Sequence, residues 1–316
     1  MSDAPRLFCL DTLLVDVVLR VAALPERAGD ALASDQLITA GGGFNAMSAA
    51  ARHGFTVIYA GRLGAGPFSS LAVTALEHEH VATPLERNDA LDAGICVVLV
   101  EPDGERSFVT SPGAEATLRT EDLASLDVRD GDFVLVSGYN LMRARIADVV
   151  LGWLAQLSSS VIVAFDPATR MVDIPPAYLE AMLPRANWLL CNASEASMLA
   201  RNDDVLENAT ALATTNDSLG VLVRNGAKGC VVALNHEAAR AVAGFKTTVV
   251  DTNGAGDVHN GVFLAELAGG RDAMAAARWA NAAAAMAISR LGPATCPTRD
   301  EVAAWLAAGG HERGLA

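Results

Sequence analysis

Residues 247–262, TTVVDTNGAGDVHNGV, join a glycine turn to a single carboxylate. The β-forming residues at 247–250 predict a strand end, and the apolar spacing after the turn predicts a helix. Gly254 and Gly256 tolerate backbone angles that other residues resist. The amides at 254–256 would then lie at a helix N-terminus, where exposed N–H groups and the helix dipole attract an anion. The stretch therefore predicts an anion site.

Asp257 is the unexpected residue in this turn, because a carboxylate would repel the anion that the amides attract. It is better explained as a general base that takes a proton from a hydroxyl while the amides hold a transferring phosphoryl group. The alternative is an ordinary glycine turn with an aspartate in the first helical turn. The predicted catalytic group consists of Gly254, Ala255, Gly256 and Asp257.

Regular alternation of apolar strands and helices begins near residue 133. This pattern predicts a mostly parallel sheet with helices on both faces. Ligands of such folds bind at the carboxyl ends of the strands. Several polar residues fall at predicted strand ends, which predicts a binding site along that edge: Tyr139, Asn140, Asp166, Asn192, Arg224 and Asp251.

The N-terminal part predicts a second set of ligand-binding groups. Residues 6–21 are interpreted as one long strand, in which Asp16 either points outward or finds a polar partner such as a substrate hydroxyl. Three consecutive glycines in 40–45, AGGGFN, imply a close approach of the backbone to another group. Asn45 offers both a donor and an acceptor, which suits a sugar hydroxyl.

A second β-rich section does not follow the strand–helix alternation. Strands at 94–100 and 106–110 flank the hairpin sequence EPDGE. Together with parts of 12–39, they predict a small sheet that stands off the main domain.

The run DTNGAGD at 251–257 resembles the signature D-T-x-G-A-G-D of the ribokinase-like (PfkB) sugar kinase family. The resemblance covers nearly the whole chain. It implies an α/β fold, namely a three-layer αβα sandwich with a mostly parallel central sheet. It also implies one kinase domain over 1–316, in which parts of 12–39 and 94–111 form a β lid over the sugar. Such a lid excludes water, and in the family it often forms the contact of a homodimer.

The glycine segment resembles the family's G-G-x-x-x-N signature and places Asn45 on its sugar-binding asparagine. Ala40 stands at the first glycine position, and Gly42 replaces a lysine found in many ribokinases. The predicted substrate-binding residues are Asp16, Gly41, Gly42, Asn45, Tyr139 and Asn140.

Two segments resemble the family's nucleotide-binding motifs. Asn192 and Glu195 match N-x-x-E, which is linked to magnesium and phosphate and would act partly through water. A capped helix start is the alternative interpretation. The segment 223–229, VRNGAKG, resembles T-x-G-x-x-G, with Arg224 in place of threonine. Arg224 would contact an ATP phosphate as a charge, or it is a solvated residue at a strand end. The predicted cofactor-binding residues are Asn192, Glu195, Arg224, Gly226, Gly229 and Asn281, the last at the expected adenine contact.

The segment 290–296, RLGPATC, resembles the loop that holds a monovalent cation in many family members. Cys296 replaces a serine that is common there, and a thiol is a poor ligand for potassium. His259, next to the catalytic turn, is interpreted as structural. The predicted ligands of the cation are Asp251 and Asn253 together with the carbonyl groups of Ala287, Arg290 and Gly292.

Composition limits the remaining classes of function. A hydrophobic content of 52% over 316 residues predicts a folded α/β protein, and a net charge of −14 argues against binding a nucleic acid. Five widely spaced cysteines without C-x-x-C favour a reducing compartment. We find no signal-peptide pattern, and charged or polar residues interrupt the alanine-rich run at 273–288, so no membrane span is expected. The predicted location is the cytoplasm.

The combined prediction is an ATP- and Mg²⁺-dependent kinase that phosphorylates the primary alcohol of a monosaccharide such as ribose, with K⁺ as a candidate activator. A nucleoside kinase is the first alternative, because Phe44 and Tyr139 could stack on a base. A sugar-binding regulator without catalysis is the second, and the intact Asp257 argues against it. The chain has no P-loop motif and no G-x-G-x-x-G after the first strand, which argues against a P-loop kinase and a dinucleotide-dependent oxidoreductase.

Overall fold

The computed structural model describes residues 4–217, 219–235 and 237–310. It contains two sheets and two layers of helices. The strands are β1 (Arg6–Leu10), β2 (Leu13–Arg20), β3 (Asp35–Gly42), β4 (Thr56–Tyr59), β5 (Gly94–Val100), β6 (Arg106–Ser111), β7 (Phe133–Ser137), β8 (Ile162–Asp166), β9 (Trp188–Asn192), β10 (Gly220–Arg224), β11 (Gly229–Ala233) and β12 (Arg240–Ala243). The helices are α1 (Phe44–Arg52), α2 (Pro67–His78), α3 (Thr120–Ala124), α4 (Ala144–Leu154), α5 (Pro176–Met182), α6 (Ala193–Ala200), α7 (Val205–Ala213), α8 (Ala255–Ala268), α9 (Ala273–Ala287) and α10 (Arg299–Ala307).

The central sheet has eight strands in the order β12-β11-β10-β9-β8-β7-β1-β4. The six strands from β10 to β4 pair in parallel, whereas β11 and β12 pair antiparallel at one edge. Parallel strands covered on both faces are expected to be apolar throughout, and β7 is buried along its whole length. The prediction of a mostly parallel central sheet is confirmed.

Alternate residues of each strand enter two separate cores. In β1, Leu7 and Cys9 pack into the core that includes α1, α8 and α9, whereas Phe8 and Leu10 pack into the core that includes α4 and α7. This alternation follows from the two-residue period of a strand. Helices therefore cover both faces, as expected for a three-layer αβα sandwich. No helix within the described ranges is both long enough and apolar enough to cross a bilayer.

Helices α1 and α8 approach each other closely. A Cβ atom at Gly261 in α8 would lie 2.3 Å from the carbonyl oxygen of Ala46 in α1, so only glycine fits there. This packing brings the start of α1, which carries Asn45, next to the start of α8, which carries Asp257.

The small sheet consists of four strands in the order β3-β2-β5-β6. β2 and β5 pair in parallel, and the outer pairs are antiparallel. One face, which we call the inner face, carries Asp16, Val18 and Arg20 on β2 beside Cys96 and Val98 on β5. An apolar cluster of Cys96 and Val98 with neighbours on β2 and β5 holds this face together.

The interpretation of 6–21 as one strand is wrong. The segment forms β1 of the central sheet and β2 of the small sheet, and the break falls at Asp11 and Thr12. The carboxylate of Asp11 accepts a hydrogen bond from the amide of Thr12 at 2.6 Å, which turns the chain out of β1. Asp11 thereby lies at the carboxyl end of a central parallel strand.

Candidate active site

The glycine turn leads directly into α8. Gly254 is the residue before the helix and has a left-handed φ of 72°, which favours glycine. A Cβ atom there would also lie 2.9 Å from the Cγ atom of Asn45. The strand predicted at 247–250 is wrong: no strand forms in this described segment. Instead, the amides of Val250 and Asp251 donate to the carbonyl of Ile288 at 2.8 and 3.1 Å, which fixes the approach to the turn.

The first amides of α8 face away from the helix body, because the initial N–H groups of a helix have no intrahelical acceptor. The amide of Ala255 is already used, since it donates to the carbonyl of Thr252 at 3.3 Å. The guanidinium of Arg224 lies against the turn, and its Nε atom is 3.5 Å from the Cβ position of Gly256. The charge of Arg224 therefore adds to the positive electrostatic potential of the helix N-terminus.

Asp257 lies in the first turn of α8, where Asn45 holds its carboxylate. The Nδ2 atom of Asn45 donates to Oδ2 of Asp257 at 3.3 Å, and Oδ1 of Asn45 accepts from the amide of Ala294 at 2.9 Å. Burial raises the pKa of Asp257 to about 8, with further contributions from the charges of Asp11 and Asp166. A carboxylate with few donors and acidic neighbours is poised to accept a proton.

Asp11 is the second carboxylate of this site. Burial raises its pKa to about 7, although hydrogen bonds from Thr12 and Ser137 oppose the shift. A Cβ atom at Gly43 would lie 2.6 Å from the Cβ atom of Asp11, so the third glycine of the AGGGFN segment makes room for this residue.

The predicted sugar-binding residues lie on the inner face and the adjoining glycines. Asp16 is 6% exposed, and burial raises its pKa to about 6 against a hydrogen bond from the side chain of Asn253. A Cβ atom at Gly41 would lie 2.3 Å from the Asp16 carboxylate, and one at Gly42 would lie 2.2 Å from the carbonyl of Thr12. Both glycines are therefore required by close packing.

Tyr139 and Asn140 lie after β7 and differ in their surroundings. The hydroxyl of Tyr139 is 3.0 Å from Oγ1 of Thr169, and the ring remains 37% exposed. Asn140 is buried and donates from Nδ2 to the carbonyl of Leu10 at 2.9 Å, which fixes the end of β1. Tyr139 thus stays partly at the surface, whereas the amide nitrogen of Asn140 supports the strand that carries Asp11.

Arg224 is the centre of a buried charge cluster. Its side chain is 14% exposed, so it is not a solvated residue at a strand end. Nη2 lies 3.2 Å from Oδ2 of Asp166 and 3.7 Å from Oε2 of Glu195. Nη1 donates to Oδ1 of Asn260, whose own amide donates to Asp166 at 2.5 Å.

Asn192 and Glu195 form a reciprocal cap at the start of α6. The amide of Glu195 donates to Oδ1 of Asn192 at 2.9 Å, and the amide of Asn192 donates to Oε2 of Glu195 at 2.8 Å. Burial is the main cause that raises the pKa of Glu195, and the charge of Asp166 adds to it. Carboxylate oxygens with excess negative charge fit a hard cation such as Mg²⁺, held through water.

The remaining nucleotide-side residues shape the backbone. Gly226 and Gly229 have φ values of 54° and 97° in the β10–β11 connection. Asn281 donates to the carbonyls of Val242 and Ala243, both at 3.1 Å, and its Oδ1 lies 3.0 Å from Nε2 of His259. Burial lowers the pKa of His259 to about 3, so this ring is neutral near pH 7.

The residues of the predicted cation loop come together, but the polar groups of Asp251 and Ala287 are engaged. Oδ1 of Asp251 accepts from the amide of Asn253 at 2.8 Å and from the guanidinium of Arg106, and Oδ2 accepts from the amide of Gly292 at 3.2 Å. The carbonyl of Ala287 accepts from the amide of Arg290 and from the hydroxyl of Thr295, both at 3.0 Å. Nowhere in the described part of the chain do three or more His, Cys, Asp or Glu residues form a metal-binding group.

Comparison with known proteins identifies the family. A sequence model described as the pfkB family carbohydrate kinase matches residues 4–300. An uncharacterized sugar kinase of Escherichia coli, YegV, is 31% identical over 92% of this chain and 90% of the relative. An ATP-dependent ribose-1-phosphate kinase of Halopiger xanaduensis is 32% identical over 92% and 94%. The chain belongs to the pfkB family of carbohydrate kinases.

Solved structures extend this result to the fold. The ribokinase of Thermotoga maritima superposes with a TM-score of 0.81 at 25% identity, covering 96% of this chain and 99% of that one. Family membership makes this chain a sugar kinase, a phosphotransferase with an alcohol group as acceptor. Structures of the same fold contain ADP, or ATP together with Mg²⁺.

Three residues of the site were not among the sequence predictions. Asp11 directly follows the apolar run of β1, and a polar residue at that point is a signal that the one-strand interpretation of 6–21 concealed. Asn260 follows Asp257 by three positions and therefore lies on the same side of α8. Arg106 gave no signal, because it reaches the site only through the docking of the small sheet.

Proposed function

We propose that this pfkB-family kinase transfers the terminal phosphoryl group of ATP to the primary alcohol of a monosaccharide, with Asp257 as general base. The observation that carries the proposal is the position of Asp257. Its carboxylate lies in the first turn of α8, next to the turn amides and Arg224, and burial raises its pKa to about 8. Asn45 orients the carboxylate, so that the other oxygen is left for the hydroxyl proton.

The proposed sugar side consists of Asp16, Gly41, Gly42 and Asn45, with Tyr139 and Asn140 at the end of β7. The buried carboxylate of Asp16 suits sugar hydroxyls, because a hydroxyl donor would compensate for its lost hydration. Gly41 and Gly42 make room for the Asp16 carboxylate and the Thr12 carbonyl and so support this side of the site.

The proposed phosphate side consists of the amides at 254–256, of which that of Ala255 also donates to the carbonyl of Thr252, and the guanidinium of Arg224. Both groups favour negative charge. Asn192 and Glu195 would hold Mg²⁺ partly through water, and Gly226, Gly229 and Asn281 would border the nucleotide. When bound, Mg²⁺ would neutralise charge on the phosphates. Arg224 would remain tied to Asp166 and keep the buried acidic groups from repelling ATP.

We propose that the small sheet is a lid over the sugar and the contact of a homodimer. On the face opposite to the inner face, Ile38, Val17, Val97 and Val109 form one continuous apolar row across all four strands. Ile38 is 45% exposed and Val109 is 67% exposed. Covering this row in a second copy would remove apolar area from water. Light scattering should therefore give twice the mass of the 32.7-kDa chain, and a monomer at micromolar concentration would contradict the dimer.

The acceptor itself is best found by an ATP-consumption screen. Free pentoses such as ribose are the first candidates, and ribose 1-phosphate is included because a relative is named for that substrate. Nucleosides are the alternative, favoured by the exposed ring of Tyr139, which offers a stacking surface. A nucleoside acceptor without activity on free sugars or their phosphates would replace the monosaccharide proposal.

The test of the base is Asp257→Asn. The substitution keeps the shape of the side chain and the contact with Asn45, so binding of the acceptor should persist. Loss of a general base should lower kcat by roughly 10²–10⁴-fold. The matched control is Asp130→Asn at an exposed position, which should leave kcat unchanged. Turnover of Asp257→Asn close to that of the control would disprove the proposed role.

A further inference from the structure

Arg106 connects the small sheet to the catalytic turn. It opens β6, where it pairs with Val100 across the sheet, and its guanidinium donates to the carboxylate of Asp251. The two side chains are 19% and 11% exposed, so the ion pair is largely shielded from water. The attraction between the two charges is stronger than at the surface, because water and salt screen it less.

A second contact joins the same two parts of the molecule. The side chain of Asn253 lies close enough to the Asp16 carboxylate on β2 to lower its pKa against the effect of burial. The segment 251–253 is therefore held by β6 at one end and by β2 at the other. Gly254 and the first amides of α8 follow without a break. Any shift of Asp251 is thus transmitted over three residues to the turn amides.

The carboxylate of Asp251 already has hydrogen-bond donors and a positive charge beside it without a potassium ion. Two backbone amides and a guanidinium already donate to its carboxylate. Burial opposes ionisation, but the hydrogen bonds from Asn253 and Arg106 outweigh it, and the pKa of Asp251 is lowered. A cation at this carboxylate would compete with Arg106, which is attached to the sheet.

The other groups of the loop also fit potassium poorly. The thiol of Cys296 lies 3.3 Å from the carbonyl of Pro297, and sulfur is a weak ligand for this ion. The carbonyl of Ala287 accepts two hydrogen bonds, which occupy its lone pairs. The Asp251 carboxylate and the Ala287 carbonyl, two of the predicted ligands, are therefore already satisfied from within the protein.

We propose that Arg106 is a positioning residue that takes the place of a monovalent cation. It neutralises Asp251 and fixes segment 251–253 when the small sheet is docked. The kinase is therefore independent of monovalent cations. The inference rests on the proposed role of the turn amides. It assigns to Arg106 no contact with substrate. Docking of the small sheet and alignment of the turn are coupled, because both depend on the ion pair between Arg106 and Asp251.

The test compares Arg106→Met with Arg20→Met in KCl and in choline chloride at equal ionic strength. Arg20 is the matched control, because it lies on the inner face but is 42% exposed and only 3.9 Å from its acidic neighbour Asp35. Two readouts need no acceptor sugar: the thermal midpoint, and amide hydrogen exchange of residues 251–257. A third is turnover with the acceptor found by screening. A failed screen would affect only this third readout.

The wild type and Arg20→Met should give equal thermal midpoints, exchange rates and kcat in the two salts. Arg106→Met should exchange the 251–257 amides at least about tenfold faster in choline chloride, and KCl should reverse part of this increase by binding at the exposed Asp251 carboxylate. Its kcat should fall by about tenfold in choline chloride and recover partly in KCl. A wild type that is stabilised or activated by KCl over choline chloride would overturn the proposal.

Two further variants guard against misfolding of Arg106→Met. Arg106→Lys keeps the charge and should stay close to the wild type in both salts. Asp251→Asn removes the carboxylate, so adding Arg106→Met to it should have less effect than in the wild type. KCl should rescue neither Asp251→Asn nor the double variant. Equal effects of Arg106→Met with and without Asp251 would contradict coupling between the two residues.

Discussion

Helix α8 carries one carboxylate near each end, and the two have opposite surroundings. Asp257 lies in the first turn, within the candidate active site. Glu266 lies near the last turn and is completely buried. Burial removes water from both groups and disfavours their charge. The difference between them must therefore come from the groups that the fold places around each one.

Hydrogen-bond donors and positive charges compensate for the burial of the Glu266 carboxylate. It lies 3.0 Å from Nδ1 of His53, accepts from Arg271 at 2.6 Å and accepts from two nitrogens of Arg299 at 2.9 and 3.1 Å. Burial opposes its ionisation, but these hydrogen bonds more than offset it and lower the pKa to about 2. The ring of Trp279 packs beneath both guanidinium groups, 4.3 and 5.6 Å from them.

Asp257 is left almost uncompensated. One amide donates to it at 3.3 Å, and its charged neighbours include Asp11 and Asp166. A fold that can build the Glu266 network on the same helix does not need to leave a carboxylate in this state for stability. The comparison supports the proposal that the carboxylate without sufficient donors serves catalysis, whereas the satisfied one serves structure.

The largest expected effect belongs to Glu266→Gln. Loss of the charge would leave His53 and two arginines facing a neutral amide, and breaking a buried ion pair costs about 3 kcal/mol or more of unfolding free energy. Because the folded pKa lies below the ordinary value of 4.5, this stabilisation is present above pH 4.5 and is lost as the pH falls through about 2. Urea unfolding at neutral pH measures the loss.

Glu86→Gln is the matched control for that measurement. Its side chain is 84% exposed and lies 3.8 Å from Arg119, so it should change the unfolding free energy by less than about 0.5 kcal/mol. A similar small value for Glu266→Gln would show that its hydrogen bonds add little to the unfolding free energy. Glu266 would then not be the stabilising counterpart of Asp257.

The next effect concerns the pH dependence of catalysis. The proposed base must be ionised, and its raised pKa means that kcat/KM should decline as the pH falls below about 8. Burial is the main cause of the shift, and the charge of Asp11 is the next. Asp11→Asn should therefore move this acidic limb to lower pH by up to about one unit, since a neighbouring like charge raises a carboxylate pKa by that order.

A profile of kcat/KM against pH for the wild type, Asp11→Asn and Asp130→Asn tests this coupling. The Asp130→Asn profile should overlay that of the wild type. An acidic limb that stays in place in Asp11→Asn would show that Asp11 does not act on the titrating group, and would assign that limb to another residue.

The sequence predicts the glycine turn and the start of α8 because both are local. The glycines of the turn, its aspartate and the helix that follows occupy one continuous segment, and Gly254 is required there by its left-handed φ of 72°. The parallel sheet is predictable for a similar reason, since the alternation of apolar strands and helices repeats along the chain. These features do not depend on distant contacts.

What the sequence does not reveal depends on tertiary contacts. The valine and leucine residues on both sides of Asp11 and Thr12 look like one strand, because hydrophobic pattern alone cannot show that the two halves join different sheets. Arg106 lies 145 positions from Asp251, and nothing near either residue indicates the pairing. The pattern at 247–250 has strand propensity but gains no strand partner, so tertiary context overrides it.

The smallest expected effect is a gain in stability when Asp257 loses its charge. Its folded pKa of about 8 lies above the ordinary value of 3.8, so the folded protein holds a proton that the unfolded chain releases in this range. The destabilising contribution of Asp257 therefore grows as the pH rises through this window, and it is complete above about 8. Asp257→Asn should raise the thermal midpoint by a few degrees at about pH 8.5 and by less at about pH 5. The Glu266→Gln variant should be less stable than the wild type at both values, because its pKa lies below them. If Asp257→Asn instead lowers the midpoint at the higher pH, the ionised carboxylate is stabilised by the fold, and the two ends of α8 do not differ in the way their surroundings indicate.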